Sequence, residues 1–129
     1  MEADQRLMKC LADAHRWELS HHPILGTLVG RHVYLSIADE ISESDEYATV
    51  KSLKQIFSHT SITERAIRFK LRELEQEGYI KMDISIKDGR YRKLIVTDKF
   101  ISVMKQHQGY LSKVFSNNLI LLINGSGDA

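Results

Sequence analysis

The feature that most constrains this chain is a helical pattern that passes directly into a strand pattern within residues 61–97. In the first half, Ile67, Leu71 and Leu74 recur at the spacing of one helix face. In the second half, residues 80–87 alternate between apolar and polar side chains, and a second alternating run follows a short polar turn. The pattern therefore predicts an α-helix followed directly by a β-hairpin.

Signals at both ends of the predicted helix support it. Ser61 and Glu64 have the spacing of a capping box, in which each side chain accepts a hydrogen bond from an unpaired backbone N–H group. We therefore expect the helix to start at Ser61. Gly78 follows the apolar stripe, at a position where helices commonly end in a left-handed residue.

The register of the hairpin follows from charge and burial. A two-residue loop would place two basic residues opposite each other, whereas a three-residue loop at residues 87–89 avoids that repulsion. The longer loop pairs Ile80 with Val96 and Met82 with Leu94. We prefer this register because it gives the hairpin an apolar base and a basic tip.

Two segments of this unit resemble the MarR family of transcriptional regulators. Residues 74–80, LEQEGYI, resemble the family's helix exit, L-E-x-x-G followed by two hydrophobic residues. Residues 88–97, DGRYRKLIVT, resemble its wing motif, D-x-R-x-[KR]-x-hydrophobic-x-hydrophobic-T, without a gap. The sequence departs from the family at Gly89, where a second arginine is common, and at Phe100, where a glycine often follows the threonine. The close match covers less than a third of the chain.

The resemblance implies a mainly α fold with a small antiparallel β-hairpin, arranged as a winged helix-turn-helix with terminal dimerisation helices. We expect a single domain over residues 1–129, with the helix-turn-helix and the wing in residues 49–97. Residues 1–42 and 98–123 would supply the dimerisation and support helices. In the family these helices interdigitate across a two-fold axis, which implies a homodimer.

Apolar periodicity places the other elements along the chain. The predicted helices cover residues 3–21, residues 24–42, a short segment that begins at Thr49 with Val50 inward, and residues 98–116 after Thr97. The apolar face of the first helix is predicted to hold Leu7, Leu11, Ala14 and either Trp17 or Glu18. Residues 119–123 either continue the last helix, form a short second helix or form a strand.

Side chains on the predicted reading helix, the preceding helix, the turn between them and the hairpin are expected to contact DNA. The predicted set is Ser52, Lys54, Thr60, Thr63, Arg65, Arg68, Phe69, Lys70, Arg72, Arg90, Arg92 and Lys93. Arg65 and Arg68 are the expected base readers, because a guanidinium group can bind a guanine edge through two hydrogen bonds. The alternative is a solvated helix face whose basic residues pair with Glu64, Glu73 or Glu75.

The other basic residues in this set are expected to hold the DNA backbone or the minor groove. Lys70 and Arg72 would contact phosphates, which position the protein without reading sequence. Arg90 and Arg92, at the hairpin tip, would lie in or beside a narrow minor groove. Further backbone contacts are expected from Ser52, Lys54 and Thr60.

Composition limits the classes of protein that this chain can belong to. A length of 129 residues with 43% apolar residues is enough for one domain with a hydrophobic core. The single cysteine, Cys10, excludes a disulfide framework and suits a cytoplasmic location. No signal peptide or membrane-spanning run is present, so no membrane partner is expected. The basic excess falls on residues 61–99, which hold 10 Lys/Arg and 7 Asp/Glu.

Other residue types that often form functional sites have structural interpretations here. The histidines of the first two predicted helices, which are His15, His21, His22 and His32, lack the spacing of a helical metal site. Cys10 is either a redox sensor or a buried core thiol, and the second is favoured. Trp17, Tyr34 and Tyr47 either pack in the core or line a pocket for a small-molecule effector, where relatives bind phenolic ligands.

The sequence therefore predicts a sequence-specific regulator of transcription that binds double-stranded DNA as a homodimer, and we expect a repressor. The alternatives are a winged-helix module that binds another protein and a plasmid or phage protein for partition or replication control. No phosphate loop, nucleophile elbow or pair of catalytic carboxylates occurs, so we predict neither an enzyme nor a cofactor.

Overall fold

The computed structural model describes residues 3–41, 49–50, 53–58, 61–84 and 91–127; of residues 3, 83–84, 91–92 and 118–127 it describes the backbone alone. The α-helices in these ranges are α1 (Ala3–His21), α2 (Leu28–Ile41), α3 (Lys54–Phe57), α4 (Glu64–Gln76) and α5 (Asp98–Gly127). The strands are β1 (Thr49–Val50), β2 (Ile80–Ile84) and β3 (Tyr91–Val96). Helices hold 78% of the described residues, which confirms the prediction of a mainly α protein.

The described chain forms two compact units. The first contains α1 and the part of α5 from Met104 onward. The second is Ile24–Val103, which includes α2, α3, α4, the sheet and the first residues of α5. The sequence interpretation assigned residues 1–42 to the support helices, whereas the structure groups α2 with the helices and strands of the second unit. Among the described residues, no helix has the length and apolar character needed to cross a membrane.

The first unit buries only part of the apolar face that the sequence predicts for α1. Cys10, Ala14 and Glu18 are 1%, 5% and 3% exposed, whereas Leu7 and Leu11 are 42% and 53% exposed. The predicted stripe is therefore wrong for its leucines and right for Ala14 and Glu18. The exposed leucines and the buried residues lie on the same side of α1, with the leucines nearer its N-terminal half.

Side-chain contacts join α1 to α5 within this unit. The Tyr110 hydroxyl donates a 3.1 Å hydrogen bond to the carbonyl oxygen of Asp13. The Cys10 thiol points toward the carbonyl oxygen of Val114 at 4.0 Å. Cys10 is thus a free, buried thiol, as the core interpretation predicts.

The second helix starts later than the sequence predicts. A short 3₁₀ helix, Pro23–Gly26, precedes α2, and the Thr27 hydroxyl accepts a 3.0 Å hydrogen bond from the Gly30 N–H as an N-cap. Gly30 is needed because a Cβ at that position would overlap the carbonyl oxygen of Ile24. The predicted continuous helix over residues 24–42 is therefore wrong in its first turn.

The sheet is antiparallel, with strand order β1-β3-β2. The sequence did not predict β1. It predicted that Thr49 and Val50 begin a helix, and this prediction is wrong. Thr49 pairs with Ile95 and Val50 with Leu94. Both β1 residues are β-branched, which favours a strand, and Val50 is 1% exposed.

The predicted hairpin register is confirmed at its base. The paired residues of β2 and β3 are Ile80–Val96, Lys81–Ile95, Met82–Leu94 and Asp83–Lys93. An irregularity between Asp83 and Ile84 then shifts the register, so that Ile84 pairs with Tyr91. The predicted loop at residues 87–89 lies outside the described residues.

The core of the second unit contains the inward faces of α2, α4 and the sheet. Its most buried large side chains are Val33, Tyr34, Ile37, Val50, Ile56, Ile67, Leu71, Leu74, Ile80, Leu94 and Phe100. The predicted stripe of α4 is confirmed, because Ile67, Leu71 and Leu74 are all at most 2% exposed. α5 begins after Thr97 as predicted and extends to Gly127, so residues 119–123 continue the helix.

Candidate nucleic-acid interface

α4 begins later than the sequence predicts. Thr63 is its N-cap, and the Thr63 side chain accepts a 3.1 Å hydrogen bond from the Ala66 N–H. The predicted helix start at Ser61 is wrong. Ile62, just before the cap, is 7% exposed and occupies the position of a hydrophobic staple residue. Glu64 is consequently the first helical residue and not the partner of a capping box.

The C-terminus of α4 is closed by a Schellman turn, as Gly78 predicts. Gly78 has a φ of 84°, a conformation that costs other L-residues energy. The Tyr79 N–H donates to the Leu74 carbonyl oxygen at 2.9 Å, and the Gly78 N–H donates to the Glu75 carbonyl oxygen at 3.1 Å. These bonds set the direction in which the chain leaves α4 for β2.

Two side chains beside the start of α5 bind the same exit turn. The Thr97 hydroxyl donates toward the carbonyl oxygens of Gly78 and Tyr79, at 2.7 Å and 2.8 Å. The Lys99 ammonium group donates to the Glu77 carbonyl oxygen at 2.7 Å and lies 4.4 Å from the centre of the Tyr79 ring. A cation at this end of α4 is favoured by the helix dipole. The helix is therefore held at both ends.

A stripe of four exposed residues, which we call the outer stripe, runs along α4 opposite its buried face. It contains Arg65, Phe69, Arg72 and Gln76, spaced so that all four lie on one side of the helix. Phe69 is 62% exposed. Neither Arg65 nor Arg72 has a hydrogen bond or ion pair with a described residue. Gln76 is not among the predicted contacts, although its spacing from Arg65 could have identified it.

Arg68 lies to one side of the outer stripe and is engaged within the protein. Its guanidinium group binds the Glu64 carboxylate at 2.6 Å and 3.1 Å and lies 5.4 Å from the centre of the Phe57 ring. The ion-pair alternative thus holds for Arg68 and not for Arg65. An exposed pair of this kind stabilises by at most about 1 kcal/mol, so a DNA ligand could displace it.

On the other side of the outer stripe, Lys70 is also paired. Its ammonium group lies 2.7 Å from the Glu73 carboxylate, and its side chain is 20% exposed. An open cavity of about 440 Å³ lies beside this pair. The residues that line the cavity are Thr27, Val29, Thr63, Arg65, Ala66, Phe69, Lys70 and Glu73.

A carboxylate from α4 secures the outer edge of the hairpin. Glu75 accepts a 2.8 Å hydrogen bond from the Met82 backbone N–H, a donor on the side of β2 away from β3. Lys93 of β3 is exposed. Arg92 lies in β3 with its side chain undescribed, and Arg90 lies outside the described residues. Of the two predicted minor-groove contacts, the structure therefore locates the backbone of Arg92 and does not describe Arg90.

Of the backbone contacts predicted from Ser52, Lys54 and Thr60, the structure describes only Lys54. Lys54 is exposed at the first residue of α3. Ser52 and Thr60 lie outside the described residues. His32 has a structural role, because its Nε2 atom lies 2.8 Å from the carbonyl oxygen of Ile56 and links α2 to α3.

The first unit contains a buried cluster that the sequence did not predict. Glu18, His22 and His107 are 3%, 4% and 3% exposed, and the Glu18 Oε2 atom lies 2.7 Å from the His107 Nε2 atom. Trp17 stacks on Tyr110, with 4.3 Å between the ring centres. Glu18 and His107 lie 89 residues apart, so no local pattern could have paired them.

His22 is the unsatisfied member of this cluster. Its Nε2 atom is buried and has no hydrogen-bond partner among the described residues. Burial lowers the pKa of His22 below its ordinary value of 6.5, and the neighbouring His107 and His21 lower it further, while Glu18 opposes them. Within the described residues, no group of three or more metal-ligating side chains is arranged to hold an ion.

Of the aromatic residues considered for an effector pocket, Tyr34 and Trp17 belong to different units. Tyr34 is 1% exposed and packs on Phe100 with 5.4 Å between the ring centres, so core packing accounts for it. Trp17 is half-buried and stacks on Tyr110 in the first unit, and Tyr47 lies outside the described residues. The open cavity beside α4 has a different lining.

Comparisons with known proteins supply no relative. The chain matches no protein-family model, no curated protein and no solved structure.

Proposed function

We propose that this protein is a sequence-specific regulator of transcription that binds double-stranded DNA as a homodimer. The MarR-like motifs of the sequence favour a repressor that recognises a pseudo-palindromic site. In this proposal, α4 enters the major groove and the β2–β3 hairpin lies beside the adjoining minor groove. The observation that carries the proposal is that Arg65 and Arg72 are exposed, without a partner among the described residues, on one side of a helix that is held at both ends.

The fixed helix makes these cations effective. An arginine that is already paired must lose its partner before it binds DNA, and this reduces the net gain in free energy. Arg65 and Arg72 have no partner to lose among the described residues. Their guanidinium groups can bind guanine edges or phosphates through two hydrogen bonds.

An exposed apolar surface on α1 supports a dimer. Leu7, Met8 and Leu11 are 42%, 63% and 53% exposed, and their spacing places them on one side of the helix. A contiguous apolar surface of this kind is typical of a protein–protein interface. In the proposed dimer it contacts the same surface of a second copy.

The proposal is tested by selecting bound duplexes from a random pool and measuring affinity against salt concentration. We expect an inverted repeat, and affinity that falls steeply with salt because bound counterions are released. Replacing Arg65 with glutamine should reduce discrimination between bases by about 1–3 kcal/mol if Arg65 reads a base. If Arg72 binds phosphate, Arg72→Gln should reduce the slope of log affinity against log salt concentration by about one, because one counterion fewer is released.

Lys105→Gln is the matched control, because Lys105 is exposed in the first unit and the change removes the same charge. It should leave affinity and salt dependence unchanged. The proposal is wrong if no duplex is enriched, or if Lys105→Gln and Arg65→Gln weaken binding equally.

A second candidate function is a winged-helix module that binds another protein. The observation that favours it is the exposed Phe69 ring beside the open cavity on α4. Binding through an apolar contact should depend only weakly on salt, because few counterions are released. Salt dependence therefore separates the two candidates.

A further inference from the structure

Phe69 is the one member of the outer stripe that carries neither charge nor hydrogen-bonding groups. Its side chain is 62% exposed on the face opposite the buried residues of α4, so packing within the second unit does not explain it. Exposing an aromatic ring to water costs free energy that burial against a ligand would recover. The exposed ring of Phe69 therefore calls for a binding partner outside the second unit.

The neighbours of Phe69 identify the chemistry of that contact. Arg65 precedes it by one helical turn, and Arg72 follows it by nearly one turn on the same face. Two unpaired cations beside the ring favour a polyanion over an apolar peptide or a lipid tail. On double-stranded DNA, the apolar group exposed in the major groove is the 5-methyl group of thymine.

We propose that Phe69 recognises the methyl group of a thymine. This thymine lies along the duplex between the base or phosphate held by Arg65 and the one held by Arg72. This inference rests on the proposed function and adds a specificity determinant to it. Along an α-helix, residues 65 and 72 are separated by about 10 Å, close to the rise of three base pairs. The thymine lies within about two base pairs of the Arg65 contact.

The side chains around Phe69 fit this role. The apolar side chains of Ala66 and Val29 line the cavity next to the ring, alongside the Lys70–Glu73 ion pair. The Arg68 guanidinium group pairs with Glu64 and lies over the Phe57 ring. Its charge is therefore partly neutralised within the protein. The methyl group would thus meet the ring between Arg65 and Arg72, whose guanidinium groups bind bases or phosphates on either side of it.

The test uses the duplex recovered by selection from a random pool. Each thymine is replaced in turn by deoxyuridine, which removes only the methyl group. For the wild-type protein we expect one thymine in each half-site at which the replacement weakens binding about fourfold, the effect of losing one buried methyl contact. With Phe69→Ala, the thymine and deoxyuridine duplexes should bind equally well.

Two further variants keep the test specific. Phe69→Leu retains an apolar side chain and should keep part of the methyl discrimination. Leu35→Ala removes another exposed apolar side chain, 42% exposed, from α2 and should keep all of the methyl discrimination. Thermal unfolding of each variant checks the fold, and no loss is expected because both side chains are exposed.

The outcomes separate this inference from the function on which it rests. Failure of the wild-type protein to bind any duplex overturns both. Duplex binding without a methyl-dependent thymine, or methyl discrimination that survives Phe69→Ala, overturns the inference alone. An equal loss on the thymine and deoxyuridine duplexes with Phe69→Ala also overturns it, because Phe69 would then contact DNA without reading the methyl group.

Discussion

Two glycines allow the exit turn of α4 to be tested with one kind of substitution. A Cβ atom added at Gly78 or at Gly109 would meet no atom within 4 Å, so replacing either with alanine creates no clash. The backbone differs, because Gly78 has a φ of 84° and Gly109 lies inside α5. Any difference between the two variants therefore reports backbone conformation alone.

The expected effects have opposite signs. Gly78→Ala forces a residue with a Cβ into a left-handed conformation, which costs roughly 1–2 kcal/mol. Gly109→Ala removes a flexible residue from a helix and should stabilise the chain by about 1 kcal/mol. A change of 1 kcal/mol corresponds to a shift in Tm of about 4 °C for a chain of this size. Gly78→Asn should fall between wild type and Gly78→Ala, since asparagine tolerates this conformation.

Urea unfolding followed by circular dichroism at about 222 nm measures these free energies. Fluorescence of Trp17, the single tryptophan, reports on the first unit and shows whether both units unfold together. A Gly78→Ala variant as stable as wild type would show that the turn relaxes without strain. A shift in the same direction for both glycines would refute the reasoning from backbone conformation.

The remaining predictions concern the first unit. Because the pKa of His22 is lowered, the unfolded chain takes up a proton first as pH falls, and the unfolding free energy should decrease below about pH 6.5. His22→Leu should flatten the pH dependence of the unfolding free energy, whereas His15→Leu, at an exposed site, should not. The unfolding free energy is measured by urea unfolding at several pH values, and a pH dependence unchanged by His22→Leu would contradict the assignment to His22. Leu11→Glu should convert the proposed dimer to a monomer in sedimentation equilibrium, whereas Leu35→Glu should not, and a monomeric wild-type protein would contradict the dimer.

Several elements could be predicted from sequence because their signals are local. The apolar stripe of α4, the glycine that ends it and the hairpin register all follow from short-range spacing. The register is especially well determined, since a shift of one residue would turn Met82 and Leu94 to the opposite face. The α1 bounds also match the predicted residues 3–21.

The errors occur where two local solutions are similar in energy. Ser61 and Thr63 are both good N-caps, and the burial of Ile62 accompanies the use of Thr63. Thr49 and Val50 fit a helix by apolar spacing, but pairing with Leu94 in β3 makes them a strand. For β1, pairing with a distant part of the chain therefore selects the structure.

The amino-acid sequence alone determined the helix-then-hairpin order, the glycine turn and the basic character of residues 61–99, because periodicity and composition act over a few residues. The tertiary structure showed which of the local ion pairs of α4 form, namely Arg68–Glu64 and Lys70–Glu73. Only the tertiary structure decided how far the predicted face of α1 is buried. Glu18 pairs with His107, 89 residues away, whereas Leu7 and Leu11 on the same side of the helix stay exposed. A partner so distant in sequence depends on the fold, and the spacing of residue types cannot identify it.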